Sequence, residues 1–321
     1  MKISAFEVRN DERETLKSTA VLYNVELTLV DRPLDDSTIS FAQGAEGITI
    51  LGKSYITKDI IKKLKAMRVQ IISTRTIGRD HIDLAAAEEE GIAVFNSSYA
   101  PDGVAEFTIM LMLMSLRNYK ASLYRINVND YSLKGLIGKE LHNLTIGVIG
   151  AGAIGRKVIQ ILSGFRCRVL AYDPYCKDSS LLEGNASLCS LDELYEQSDV
   201  ITLHLPLTKE TWHMIDHNTI KKMKDGVILI NCARGSLMSI EALIEGIENK
   251  KIGALGMDVI EEEEEIYHQD LRTDILSNRN MAYVRQFPNV ILTPHMAFYT
   301  YEAVESMAVS GIENIVKFFN K

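Results

Sequence analysis

The sequence has little of what would direct it to a membrane, an oxidising compartment or a nucleic acid. Its longest apolar runs, such as TIMLMLMSL at 108–116, fall far short of the ~20 residues a membrane-spanning helix needs. The segment MKISAFEVRNDERET turns charged within ten residues, so no signal peptide is expected. Only four cysteines occur, Cys167, Cys176, Cys189 and Cys232, and no CxxC pair joins any of them. They are expected to be reduced thiols in a cytoplasmic protein. Basic residues are the minority, 35 Lys and Arg against 43 Asp and Glu, for a net charge of −8. Such a chain lacks the field that attracts nucleic acid or anionic lipid, and neither is expected as a partner. The histidines (His81, His142, His204, His213, His217, His268 and His295) show neither HExxH nor Cys/His ligand spacing, so no metal site is expected. No internal repeat is present, and the one low-complexity stretch is the acidic run Glu261 to Glu265.

The chain has 321 residues, 46% hydrophobic and 24% charged, which suits about two globular domains of ordinary size. KISAFEV (2–8), VELTLV (25–30), GITIL (47–51), QIISTR (70–75) and IAVFN (92–96) read as strands. Helical patterns at 12–23, 57–67 and 83–90 separate them, and this alternation argues a parallel sheet covered on both faces. A long helix is expected over 103–127, with its first half, VAEFTIMLMLMSL, apolar almost all round. Such a helix is buried on more than one side, and a dimer seam is the reading preferred over an ordinary core helix. A second series of strands begins at LTIGVIG (144–150) and runs through RVLAYD (168–173), DVITLHLP (199–206), GVILINCA (226–233), GALGMDV (253–259) and NVILTP (289–294). A last helix covers 301–319. The fold class is therefore α/β in two domains.

Gly150, Gly152 and Gly155 form GAGAIG between a strand and a helix pattern. The first Gly permits a tight turn, the second lets a pyrophosphate approach the backbone, and the third lets helix and strand pack closely. Asp173 ends RVLAYD, 18 positions beyond Gly155, where a carboxylate accepts from ribose hydroxyls and repels a 2′-phosphate. NAD is expected rather than NADP. A methyltransferase can also use a Gly-rich loop with an acid, so the cofactor class waits on the catalytic residues.

Reducing a carbonyl with a nicotinamide needs a cation to hold the substrate, an acid to protonate the oxygen, and a group that keeps the acid charged. Arg234 follows GVILINCA, and its planar fork suits a carboxylate. Asp258 and the run Glu261 to Glu265 follow GALGMDV, where periodicity cannot choose one glutamate. His295 follows NVILTP, and histidine is the side chain most easily protonated and deprotonated at working pH. Three successive strand ends thus carry candidates.

GAGAIG with Asp173, NCARG, GMDV with the glutamates, and LTPHMAFYT together resemble the NAD-dependent D-2-hydroxyacid dehydrogenases, over nearly the whole chain. STRTIGRDHIDLAAA (73–87) and SSYAPDGVAEFTIMLMLMSLRN (97–118) are similar to the D-lactate dehydrogenase group, nearest its vancomycin-resistance type. The resemblance implies two doubly wound parallel-sheet domains with a cleft between. Residues 1–98 with 296–321 would form a flavodoxin-like substrate domain, and 99–295 a Rossmann domain carrying the dimerisation helix. It implies that Arg234 binds the substrate and that His295 is the acid in reduction and the base in oxidation. Glu263 would pair with His295, with Glu262 and Glu264 as the neighbouring registers, and a carboxylate there favours imidazolium. Asp258 would sit beside the nicotinamide amide. Ala153 and Ile154 would begin the helix under the pyrophosphate. Leu205, Pro206 and Thr211 would wall the adenosine side, and Cys232 with Ala233 would line the nicotinamide pocket. In the first domain Ile77 and Gly78 would receive the substrate carboxylate, Tyr99 would close the pocket and Arg75 would lie within reach of substrate.

The resemblance implies NADH-dependent reduction of a 2-oxo acid to the (R)-2-hydroxy acid by a cytoplasmic homodimer. Overall similarity favours pyruvate and D-lactate, which are the substrate and product expected here, with tolerance of larger 2-oxo acids. Leu51 and Phe298 favour a branched or aromatic 2-oxo acid, as in 2-hydroxyisocaproate or phenyllactate dehydrogenases. The corepressors that share this fold and bind NAD are the non-enzymatic alternative. A formate dehydrogenase would carry Gln at 263, and a phosphoglycerate dehydrogenase would use Arg75 for a distal phosphate.

Overall fold

Short apolar runs bounded by polar turns become parallel strands in both halves of the chain. The computed structural model describes residues 1–176, 186–264 and 266–320. Two units emerge, Met1–Ala100 with Tyr299–Lys321, and Pro101–Phe298. The first holds β1 (Lys2–Ala5), α1 (Arg13–Leu22), β2 (Glu26–Leu29), β3 (Gly47–Ile50), α2 (Lys58–Ala66), β4 (Ile71–Thr74), α3 (Leu84–Glu89) and β5 (Ala93–Asn96). The second holds α4 (Asp102–Leu116), α5 (Tyr119–Asn127), β6 (Thr145–Ile149), α6 (Ala153–Phe165), β7 (Arg168–Tyr172), β8 (Ala186–Leu188), α7 (Leu191–Gln197) and β9 (Val200–Leu203). It continues with α8 (His217–Lys222), β10 (Val227–Asn231), α9 (Ile240–Glu248), β11 (Ile252–Met257), α10 (Arg279–Val284) and β12 (Val290–Leu292). The closing helix α11 (Tyr301–Phe319) packs on α1, β3 and β4 of the first unit.

The first sheet has the order β2-β1-β3-β4-β5, the flavodoxin-like arrangement, with every pair parallel. The second runs β12-β11-β10-β9-β6-β7-β8, also parallel throughout, and its order reverses at the β6/β9 pair. Ligands of such doubly wound sheets bind outside the carboxyl ends of the strands at the reversal. Every residue of β3, β4, β9 and β10 is buried, which is why these strands read as continuous apolar runs rather than as alternation.

The helix expected over 103–127 is two helices. Asn118 takes a left-handed conformation (φ 49°) between α4 and α5, and its Nδ2 donates to the Ile137 carbonyl at 3.0 Å. Asn tolerates that geometry better than most residues, so the chain turns here although the composition stays helical. The three-residue edge strand β8 and the short α10 were outside the sequence expectation.

Arg75, expected within reach of substrate, is corrected by the structure. It has no exposed surface, and its Nε and Nη2 make a two-pronged pair with the equally buried Glu12 at 3.1 and 3.0 Å. Nη2 also donates to the carbonyls of Phe6 and Glu7, and Nη1 to the Thr49 hydroxyl. A guanidinium so enclosed ties α1 to β1, β3 and β4. Arg75→Leu should therefore cost about 3–5 kcal/mol in urea unfolding, because it leaves the Glu12 charge buried and alone. Adding Glu12→Leu should recover most of that loss, and a single variant less than about 1 kcal/mol weaker would contradict this reading.

Candidate active site

The β6–α6 turn is built for close approach. Gly150 holds φ +99°, and a Cβ there would lie 2.4 Å from the His204 carbonyl oxygen. A Cβ on Gly155 would lie 1.9 Å from the Gly150 oxygen, so neither position accepts a side chain. Gly152, by contrast, faces open space and precedes α6 without a side-chain cap, leaving the amides of Ala153 and Ile154 at a helix N-terminus. Asp173, just after β7, accepts from Ala151 N–H and Tyr175 N–H at 2.8 Å each, which sets its carboxylate at the rim of this turn. At the end of β9, burial pushes the His204 imidazole down to about 4, while the His204 backbone carbonyl lies against Gly150.

Three strands from β9, β12 is followed by Thr293-Pro294-His295. His295 is held at φ 51°, and its Nδ1–H donates to Glu263 Oε1 at 2.5 Å. The second oxygen of Glu263 accepts from Ile260 N–H at 2.7 Å. Glu263 side-chain exposure is 16% and that of His295 is 33%, so the pair is sheltered yet reachable. Glu262 and Glu264 are both exposed, and Glu261 pairs elsewhere. With Nδ1 committed to the carboxylate, Nε2 is the nitrogen left to exchange a proton.

Asp258 organises this turn. Its Oδ1 accepts from the Thr293 hydroxyl at 2.5 Å and Met296 N–H at 2.9 Å, and its Oδ2 from Ala297 N–H at 2.7 Å. Its backbone carbonyl accepts from His295 N–H at 2.8 Å. At 0% exposure it offers no surface to a ligand, so the expected contact with the nicotinamide amide gives way to a task inside the protein.

Arg234 follows β10 on a turn fixed by Asn231, whose Nδ2 donates to the Arg234 carbonyl at 2.8 Å and whose Oδ1 accepts from Ala233 N–H at 3.0 Å. The Arg234 side chain is partly exposed, with Nη1 on the Ala233 carbonyl at 2.7 Å. The β10, β11 and β12 strands are adjacent in the sheet, so Arg234, the Asp258–Glu263 segment and His295 follow the carboxyl ends of three neighbouring strands.

Residues 109–297 match the family model of the D-isomer specific 2-hydroxyacid dehydrogenase NAD-binding domain. An aromatic 2-oxoacid reductase of Clostridium sporogenes is 41% identical over 320 residues, covering 99% of this chain and 96% of that protein. A D-specific alpha-keto acid dehydrogenase of Enterococcus faecium is 37% identical over 316 residues, covering 98% and 96%. Among solved structures, a D-lactate dehydrogenase from Treponema pallidum superposes with a TM-score of 0.87 at 28% identity, covering 100% of this chain and 97% of that one. The chain belongs to the D-isomer specific 2-hydroxyacid dehydrogenases.

This dehydrogenase binds NAD through its second unit. The residues fit that group: an open Gly152, an uncapped helix N-terminus and a carboxylate at the rim of the turn supply what a dinucleotide needs. Leu205 and Pro206 follow β9, and the Thr211 hydroxyl donates to the Pro206 carbonyl and accepts from Thr208 N–H, both at 2.8 Å, closing that loop on itself. Burial, and then the Asp258 carboxylate, push the Cys232 thiol far up, so it stays protonated at the end of β10. Ala233 lies beside it, partly exposed.

In the first unit, Leu51, Ile77 with Gly78, and Tyr99 follow β3, β4 and β5, three neighbouring strands. Leu51 is nearly buried, whereas Ile77 is 42% exposed on a loop held by Thr76 Oγ1 to the Gly78 carbonyl (2.6 Å) and Asn96 Nδ2 to the Ile77 carbonyl (2.8 Å). Phe298 stands edge-on to His295 with ring centres 6.3 Å apart. Sequence reading missed His268, whose ring lies 6.1 Å from His295 and 6.5 Å from Phe298 and whose Nε2 bonds the His295 carbonyl at 3.0 Å. It also missed the His213–Glu261 pair. Among the described residues no His, Cys, Asp and Glu cluster could hold a metal, and no helix is long and apolar enough to cross a membrane.

Proposed function

We propose that this dehydrogenase reduces a 2-oxo acid to the (R)-2-hydroxy acid with NADH, and that the His295–Glu263 pair is its proton-transfer device. The observation that carries the reading is the 2.5 Å bond that commits His295 Nδ1 to Glu263 and leaves Nε2 for the substrate oxygen. NADH, when bound, supplies the hydride. Arg234 holds the substrate carboxylate and polarises the carbonyl, since a planar cation suits both oxygens. His295 Nε2–H protonates the carbonyl oxygen during reduction and takes the proton back in oxidation. In this reading Ile77, Gly78 and Tyr99 make the first unit the substrate unit.

The favoured substrate is a 2-oxo acid with an apolar group larger than methyl. Phe298 and His268 beside His295, and an apolar Leu51, support it, as does the 41% identity to a protein named for aromatic 2-oxo acids. Pyruvate is the second reading, supported by similarity to D-lactate dehydrogenases. We also place α4 and α5 at a homodimer seam, since Met110, Leu123, Tyr124 and Ile126 leave apolar surface exposed along them. The free thiols support a reducing, cytoplasmic setting.

NADH oxidation with phenylpyruvate, 4-methyl-2-oxopentanoate and pyruvate tests the chemistry. kcat/KM for the larger acids should exceed that for pyruvate about tenfold or more, and His295→Ala should lower kcat about 10²–10⁴-fold. Preference for pyruvate would move the assignment to D-lactate, and no turnover with any of them would sink it. Light scattering should give twice the 36.0 kDa chain mass, and a single-chain mass would remove the seam.

A further inference from the structure

A second histidine–glutamate pair lies outside the proton-transfer device. His213, held at φ 49° in the loop after β9, meets Glu261 Oε1 through Nε2 at 2.5 Å, and both side chains are largely sheltered (20% and 17% exposed). The indole of Trp212, the sole tryptophan, stacks on the His213 ring with centres 3.6 Å apart and planes 16° from parallel. His213 N–H donates to the Ser236 carbonyl at 2.9 Å, two residues beyond Arg234.

Glu261 is tied down at several further points. Its Oε2 lies 3.4 Å from Ile240 N–H at the start of α9, and its carbonyl accepts from Asn278 Nδ2, the cap of α10, at 3.0 Å. Between the two partners runs the Arg234–Gly235 turn. A Cβ on Gly235 would lie 2.2 Å from the Ile260 carbonyl carbon and 2.5 Å from Glu261 N, so this turn and the 260–261 backbone are in direct contact. Ile260 N–H is in turn the donor that fixes the second oxygen of Glu263.

We propose that His213 and Glu261 form a clamp that sets the relative position of Arg234 and Glu263, making them positioning residues for the dehydrogenase reaction. The inference rests on the roles given above to Arg234 and Glu263. Opening the clamp frees the Gly235 contact on one side and the Ile260–Glu263 bond on the other. The substrate cation and the base that orients His295 then lose register together. An error of about 1 Å at such groups costs on the order of 100-fold in rate.

Steady-state kinetics on the full chain test it, comparing wild type with Glu261→Gln, Glu261→Asp, His213→Gln and the double variant His213→Gln/Glu261→Gln. Glu261→Gln should lower kcat about tenfold to 100-fold and raise KM for the 2-oxo acid several-fold, while KM for NADH stays within about twofold. Glu261→Asp should restore part of the kcat. The double variant should be no worse than the poorer single one, because the two residues act as one unit. Trp212 emission should shift in every variant that releases His213. Variants that keep wild-type kcat and 2-oxo acid KM per folded molecule would overturn the clamp. So would additive losses, or a fall in melting temperature and active fraction with the kcat and KM of the remaining sites unchanged. Absence of turnover in wild type itself would instead strike the roles of Arg234 and His295.

Discussion

The carboxylate of Asp258 is the point on which the candidate site hangs. It accepts three hydrogen bonds from the turn that carries His295, and its own carbonyl accepts a fourth. A buried carboxylate is costly unless its lone pairs are occupied, and here the turn occupies them. The arrangement holds a non-glycine residue in the left-handed region, a conformation that surrounding structure must enforce. With the backbone of His295 fixed in this way, the ring reaches Glu263 at 2.5 Å. Proton transfer depends on that reach.

The same logic recurs elsewhere in the chain with different partners. In the first unit, Arg75 and Glu12 neutralise each other without exposure and bind strand-end carbonyls and a hydroxyl. In the second, His213 and Glu261 brace the turns of Arg234 and Glu263. In each case a charged or titratable side chain sits where three or more chain segments meet. Directed bonds of this kind fix loop geometry in a way that non-directional apolar packing does not.

The sheets were legible because buried parallel strands write themselves as unbroken apolar runs, as GITI, VITL and VILIN do. The glycine turn was legible because a Cβ at Gly155 or Gly150 would fall 1.9 or 2.4 Å from a backbone carbonyl oxygen, which leaves no other residue type there. What could not be read were the properties set by burial and by tertiary partners. Arg75 at a strand end looks the same in sequence whether it faces a ligand or Glu12. Five consecutive glutamates carry no periodicity, and the backbone gives them different directions: Glu261 to His213, Glu262 outward at φ 59°, Glu263 to His295. The break at Asn118 turns on one residue's backbone angle, which composition does not encode. His268 carried no signal beyond being an isolated histidine.

The most direct test of the account is the steady-state rate of Asp258→Asn beside its NADH affinity. Asparagine presents one acceptor oxygen where the turn needs two, so His295 should lose its fixed backbone while the glycine turn is untouched. We expect kcat to fall about 100-fold, with NADH binding within about threefold of wild type. A folded Asp258→Asn protein with kcat within about twofold of wild type would show that the His295 turn holds its geometry without this carboxylate, and the account would fail.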